Sequence, residues 1–186
     1  MDEINFIKNY WKLYQKAFSV DVSAKLIDFK NICLKVKFNQ NKLIIAGNGA
    51  SATIASHAAL DFTKQAKVKS MAFSDHGLIT GYSNDYGYEN WVAECINSYA
   101  QSGDVAVLIS SSGNSSNIVN AAKRAKDMNL SVITFSGFES SNKLKQLGDL
   151  NFWLDSKAYN IIESIHNIWI FTVVDMIIGS AEYDVK

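Results

Sequence analysis

Five short apolar runs, separated by longer stretches of helical periodicity, constrain the fold of this 186-residue chain more than any other feature. The runs fall at 42–46, 70–73, 105–109, 131–135 and 150–154, each of strand length. Helical connectors at about 51–67, 89–101, 116–129, 140–147 and 158–178 are long enough to cross over between parallel strands. The pattern predicts an α/β fold, a doubly wound five-stranded parallel sheet flanked by helices. Ahead of the first run, Ile4, Ile7, Tyr10, Trp11, Tyr14, Leu26, Ile27, Ile32 and Leu34 recur at helical spacing, which predicts two helices with Ser19 or Asp21 as the cap between them. The chain therefore reads as one domain over 1–186, with an N-terminal helical segment at 1–38 and an α/β core at 39–186.

Open α/β sheets bind ligands beyond the carboxyl ends of their strands, so the residues just after each apolar run carry the information. Two such places stand out. After the third run comes Ser110-Ser111-Ser112-Gly113-Asn114-Ser115-Ser116, whose hydroxyls lie beside the unpaired amides of a helix start. That combination suits a phosphate group. Its plain alternative is a helix cap, for which one serine suffices. After the first run comes Gly47-Asn48-Gly49-Ala50-Ser51, a partial match to the dinucleotide-binding glycine pattern, with Asp75 beyond the second run as a candidate ribose carboxylate. That pattern leaves the serine loop unexplained, and neither loop ends in the Gly-Lys-Ser/Thr of a nucleoside-triphosphate site. No nucleotide cofactor is expected.

Other polar residues invite both a chemical and a structural reading. His57 and Asp61 share one face of the helix that leaves the first loop, a spacing that serves proton transfer, metal binding or an ordinary structural pair. Glu163 interrupts an apolar helix, where a carboxylate needs a partner, a task or a place near the helix end. His166, one turn on, reads as a core histidine. The stretch Asn84-Asp85-Tyr86-Gly87-Tyr88 reads as a turn before a helix at Glu89.

Composition narrows the partners. Lysine plus arginine and aspartate plus glutamate stand at 18 each, so no global field attracts nucleic acid or an anionic membrane. Cys33 and Cys95 are the two cysteines, far apart, which argues for a reducing compartment and against a disulfide framework. The N-terminus lacks the basic start and continuous apolar core of a signal peptide. The most apolar stretch, 161–178, contains Glu163, Ser164, His166, Asn167 and Asp175, and reads as a buried helix rather than a membrane span. A cytoplasmic protein is expected.

Gly47-Asn48-Gly49-Ala50-Ser51 with His57, then Asn84-Asp85-Tyr86-Gly87, then Ile109 through Ser115, together resemble the sugar isomerase (SIS) family, and within it the phosphoheptose isomerase branch. The likeness runs from the N-terminal helices to about Asp175. It implies a five-stranded SIS-type sheet, N-terminal helices that assemble a homotetramer, and a phosphorylated sugar as ligand. It also implies contacts from Asn48, Gly49, Ala50 and Ser51 to the sugar, from Asn84 and Asp85 to hydroxyls, and from Ser110, Ser111, Ser112 and Ser115 to the phosphate. The implied activity is the interconversion of sedoheptulose 7-phosphate, or a related ketose phosphate, with its aldose isomer, for heptose and surface polysaccharide synthesis.

Members of that family hold zinc through a histidine and a glutamate one turn apart, with a glutamine and a histidine on the last helix. Here His57 matches, Asp61 stands for the glutamate, Glu163 for the glutamine and Phe171 for the last histidine. The family's complete zinc site therefore cannot form. A reduced set of His57, Asp61 and Glu163 is left to hold a metal. The same resemblance makes Asp61 and Glu163 the acid/base candidates, assisted by His57, with His166 as a substitute proton carrier. The alternative it leaves is a non-catalytic module that binds a sugar phosphate or a protein.

Overall fold

The computed structural model describes residues 2–184. Two helices, α1 (Glu3–Phe18) and α2 (Ser23–Phe38), precede the alternating core. The core then runs β1 (Leu43–Ala46), α3 (Ala50–Lys64), β2 (Ser70–Ala72), α4 (His76–Tyr86), α5 (Trp91–Tyr99), β3 (Val105–Ser110), α6 (Ser116–Asp127), β4 (Ser131–Ser136), α7 (Lys143–Leu147), β5 (Leu150–Trp153) and α8 (Tyr159–Ile178). All strand pairs are parallel and the sheet order is β2-β1-β3-β4-β5. The five expected strands are all present, because apolar runs of this kind are the mark of strands buried on both faces.

Alternation along the strands feeds two separate cores. Leu43, Ile45, Val107, Ile133, Phe135 and Phe152 face α2, α3 and α8, while Ile44, Ala106, Leu108 and Val132 face α5 and α6. The first core centres on aromatic contacts, with the rings of Phe135 and Phe152 stacked at 4.6 Å and Phe29 of α2 set against both.

Two local outcomes differ from the expectation, helix α4 and the role of Asp75, while Asp21 and the apolar helix α8 follow it. Residues 76–86 form α4, which the sequence masks by placing Gly77 and Gly81 inside it. The Asp75 carboxylate caps this helix, its Oδ1 accepting from the Leu78 amide at 3.0 Å. That gives Asp75 a structural task in place of a ribose contact. Between α1 and α2, Asp21 does the local work by accepting from the Ser23 amide at 2.9 Å. Helix α8 is long and apolar enough to cross a membrane by length and composition alone, yet Ile161, Ile162, Ile165, Trp169 and Ile170 are buried in the first core.

Candidate active site

Strand order reverses between β1 and β3, and the two loops singled out from sequence leave the carboxyl ends of these neighbouring strands. Gly47 lets α3 start directly on the end of β1, since a Cβ there would lie 2.6 Å from the Ser51 Cβ. Gly49, with φ 56°, turns the chain into α3. Across the switch point, β3 runs into a tight turn in which the Gly113 amide donates to the Ser110 carbonyl at 2.9 Å. Gly113 has φ 66° and lies flush against the side chain of buried Asn142, leaving no room for a Cβ. Asn142 in turn donates to the Glu139 carbonyl at 2.8 Å and accepts from the Lys145 amide at 2.9 Å.

The serine hydroxyls are not spent on capping. Ser115 stands at the N-cap of α6 but makes no side-chain cap bond, and accepts instead from the Ser110 hydroxyl at 3.1 Å. The Ser116 and Asn117 amides at the start of α6 therefore keep their capacity to bind an anion, while that of Ile118 is spent on the Ser115 carbonyl at 3.1 Å. Ser110 and Ser111 are nearly buried, and with Asn48, Ser51, Ser112, Ser115, Tyr159 and Glu163 they line a crevice of about 130 Å³.

A reciprocal amide pair ties the two loops together. Asn48 Nδ2 donates to Asn117 Oδ1 at 2.9 Å, and Asn117 Nδ2 donates to Asn48 Oδ1 at 2.8 Å. The Tyr88 hydroxyl donates to the same Asn48 Oδ1 at 3.3 Å. One Nδ2 hydrogen of Asn48 is used on Asn117, which leaves the other for a ligand oxygen. Neither Asn117 nor Tyr88 was identified as a site residue from sequence. Asn117 lies at the end of the serine stretch and is almost fully buried, but only the fold sets it opposite Asn48.

Beyond the crevice lies an open groove of about 580 Å³ between α1, α3 and α8, lined by Tyr10, Tyr14, Ala50, Thr53, His57 and Glu163 among others. Glu163 lines both compartments, and its Oε1 accepts from the Ser111 hydroxyl at 3.4 Å. The Tyr14 hydroxyl donates to Ser164 Oγ at 3.0 Å and fastens α1 to α8 beside this carboxylate. From sequence, Tyr10 and Tyr14 read as apolar helix positions. Half-exposed His57 has its Nε2 3.3 Å from Asp61 Oδ2, and Asp61 itself lines neither compartment. Asp175, next to this pair on α8, has its carboxyl raised above the ordinary range by burial and by the charge of Asp61.

Two sets of expected residues lie elsewhere. Asn84 and Asp85 sit exposed on the last turn of α4, bonded to each other at 2.9 Å, and line neither compartment. His166 is fully buried behind β4, with Nε2 3.1 Å from the Ser136 carbonyl oxygen and Nδ1 without a partner. Burial pushes its pKa down to about 4, with a smaller opposing effect from the Ser136 carbonyl, and places it away from any ligand.

The residues at the α3–α8 end do not fit a zinc ion. A zinc site needs three protein donors converging on one point. Among the described residues, no three histidine, cysteine, aspartate or glutamate side chains do so. The expected set of His57, Asp61 and Glu163 divides instead, with Glu163 turned to Ser111 and His57 to Asp61. The Phe171 ring, which has no lone pair, packs on the His57 imidazole with centroids 4.4 Å apart and planes at 48°.

Comparison with known proteins gives the family and the fold. The SIS domain family matches residues 8–137. A phosphoheptose isomerase of Helicobacter pylori (strain ATCC 700392 / 26695) is 33% identical over 182 residues, covering 93% of this chain and 94% of that protein. One from Campylobacter concisus (strain 13826) is 34% identical, covering 90% of this chain and 92% of its own. The solved structure of a phosphoheptose isomerase from Neisseria gonorrhoeae superposes with a TM-score of 0.83 at 26% identity, covering 94% of this chain and 96% of that one.

Proposed function

This chain belongs to the SIS domain family, and from that premise we propose that it is a phosphosugar isomerase of the phosphoheptose isomerase type. The substrate in this proposal is sedoheptulose 7-phosphate or a related ketose phosphate, interconverted with its aldose isomer for heptose and surface polysaccharide synthesis. The observation that carries it is the position of Glu163, a carboxylate that belongs to both the serine crevice and the wider groove.

A phosphate in the crevice takes hydrogen bonds from Ser112, Ser115 and the first amides of α6, and from Ser110 and Ser111 once their hydroxyls turn away from Ser115 and Glu163. The rest of the sugar then extends past Glu163 into the groove, where amide and hydroxyl side chains receive its hydroxyls. Aldose–ketose exchange needs a base that moves a proton between adjacent carbons and a second group that serves the oxygens. Glu163 is the base in this proposal. Asp61, set back from the groove, orients His57 rather than touching the sugar. The exposed apolar side chains Ile4, Ile7 and Trp11 of α1 support assembly into a homotetramer, and the free, buried Cys33 and Cys95 support a reducing cytoplasm.

A second reading is a SIS module that binds a sugar phosphate, or a protein, without turnover. The Phe171 ring against His57 favours it, because the groove lacks a donor at that place. Incubation with sedoheptulose 7-phosphate in deuterated water, followed by NMR, separates the two. Exchange of a carbon-bound proton and appearance of aldose at a rate proportional to protein is the expected result. Stabilisation by the sugar phosphate with no exchange would instead establish the binding module.

A further inference from the structure

We infer that proton transfer at the α3–α8 end of the groove proceeds without a divalent metal, His57 itself carrying the proton between the substrate oxygens while Asp61 and Phe171 hold its ring. The inference rests on the isomerase reading above. Three observations lead to it. One edge of the imidazole faces a carboxylate, with Nε2 3.3 Å from Asp61 Oδ2. The Phe171 ring packs against it, centroids 4.4 Å apart and planes tilted at 48°. Glu163, the remaining acid of the groove, bonds with Ser111, and although Asp175 lies close enough for burial and the Asp61 charge to raise its carboxyl, no three metal-ligating side chains converge on one point among the described residues.

A carboxylate oxygen 3.3 Å from Nε2 favours the tautomer protonated at that nitrogen, which leaves Nδ1 with a free lone pair. A carboxylate behind an imidazole in this way orients the ring and stabilises the cation that forms when Nδ1 takes a proton. The Phe171 ring packed against it restrains the imidazole's rotation. The step then balances within substrate and protein. Glu163 takes the proton from the hydroxyl-bearing carbon as the electron pair moves to form the enediol. His57 Nδ1 takes the hydroxyl proton of that carbon, which becomes the new carbonyl. The proton on His57 passes to the oxygen of the former carbonyl, and Glu163 returns its proton to the adjacent carbon. One carbonyl is lost and one formed, with no outside oxidant or reductant.

The test measures metal content and thermal unfolding of the purified full chain, before and after chelation, with zinc chloride added to one equivalent. Sedoheptulose 7-phosphate stabilisation and turnover are followed on the same samples. No bound zinc, no rise in Tm with zinc and undiminished turnover after chelation are expected. Phe171→His should gain a zinc-dependent rise in Tm, since a ligand that binds only the native state must stabilise it. His57→Asn should lower kcat on the order of 100-fold. Asp61→Asn should lower kcat with KM unchanged and shift the pH profile, which a purely structural role would not do.

Zinc that copurifies at one equivalent, or that raises the wild-type Tm, would overturn the inference whatever Phe171→His does. Full activity in His57→Asn would overturn it as well. Absence of both turnover and sugar-phosphate stabilisation in a zinc-insensitive protein would instead overturn the isomerase reading on which it rests.

Discussion

At the serine end of the site, backbone and side chains are fixed by short-range bonds. Gly113 turns the loop, Asn142 braces it from behind, and Ser110 and Ser115 bond to each other. At the α3–α8 end, the wall is assembled from three helices. His57 is half exposed there, and Tyr14 reaches Ser164 across 150 positions of sequence. Under the proposed function, phosphate recognition rests mainly on one loop, whereas the chemistry depends on how distant helices dock. Damage to the first end should abolish binding. Damage to the second should spare binding and change turnover.

Glu163→Gln sharpens this division most. Removing the carboxylate should lower turnover by about 10²- to 10⁴-fold, or about 3–5 kcal/mol in barrier height. Stabilisation by sugar phosphate, read as a Tm shift, should persist. Gly113→Ala attacks the other end, because a Cβ there collides with Asn142 and the residue has φ 66°. Urea unfolding should show a loss of about 3 kcal/mol, and phosphate should no longer stabilise the protein.

His166 shares α8 with Glu163 but answers to the core rather than to the ligand. Its folded pKa lies near 4 against 6.5 for the free side chain, so between those values the unfolded chain binds more protons. Its contribution is complete above about pH 6.5 and is lost as the pH falls toward 4. The loss is on the order of 3 kcal/mol. Denaturant titrations across that window should show it in the wild type and not in His166→Phe. If the variant kept the same acid sensitivity, the effect would belong to the carboxylates instead.

Asn117→Ala removes the brace from Asn48 and should cost about 2 kcal/mol, with weaker sugar-phosphate binding despite an untouched serine loop. The smallest effect should come from Tyr14→Phe, which loses one partly exposed hydrogen bond worth about 1 kcal/mol. It should raise KM and leave the phosphate contribution to Tm unchanged.

The same contrast explains what could be read from the sequence. The strands were legible because runs such as 105–109 are buried on both faces and tolerate no polar interruption. The serine loop was legible because a strand end, a left-handed glycine and a helix start lie within a few positions. Helix α4 was hidden by Gly77 and Gly81, although the Asp75 cap was present as a signal. Nothing local could reveal that Phe171 packs against His57, that Asn117 faces Asn48, or that α1 supplies Tyr10 and Tyr14 to the groove. Those relations exist only after α1, α3 and α8 have packed.

The paired amides of Asn48 and Asn117 also bear on how this protein can change over generations. The two positions lie 69 residues apart, yet each supplies both the donor and the acceptor that the other requires. A lone substitution at either one strands a polar group inside the crevice wall. The two codons are therefore one unit of inheritance, expected to be kept together or replaced together among descendants that keep the same ligand.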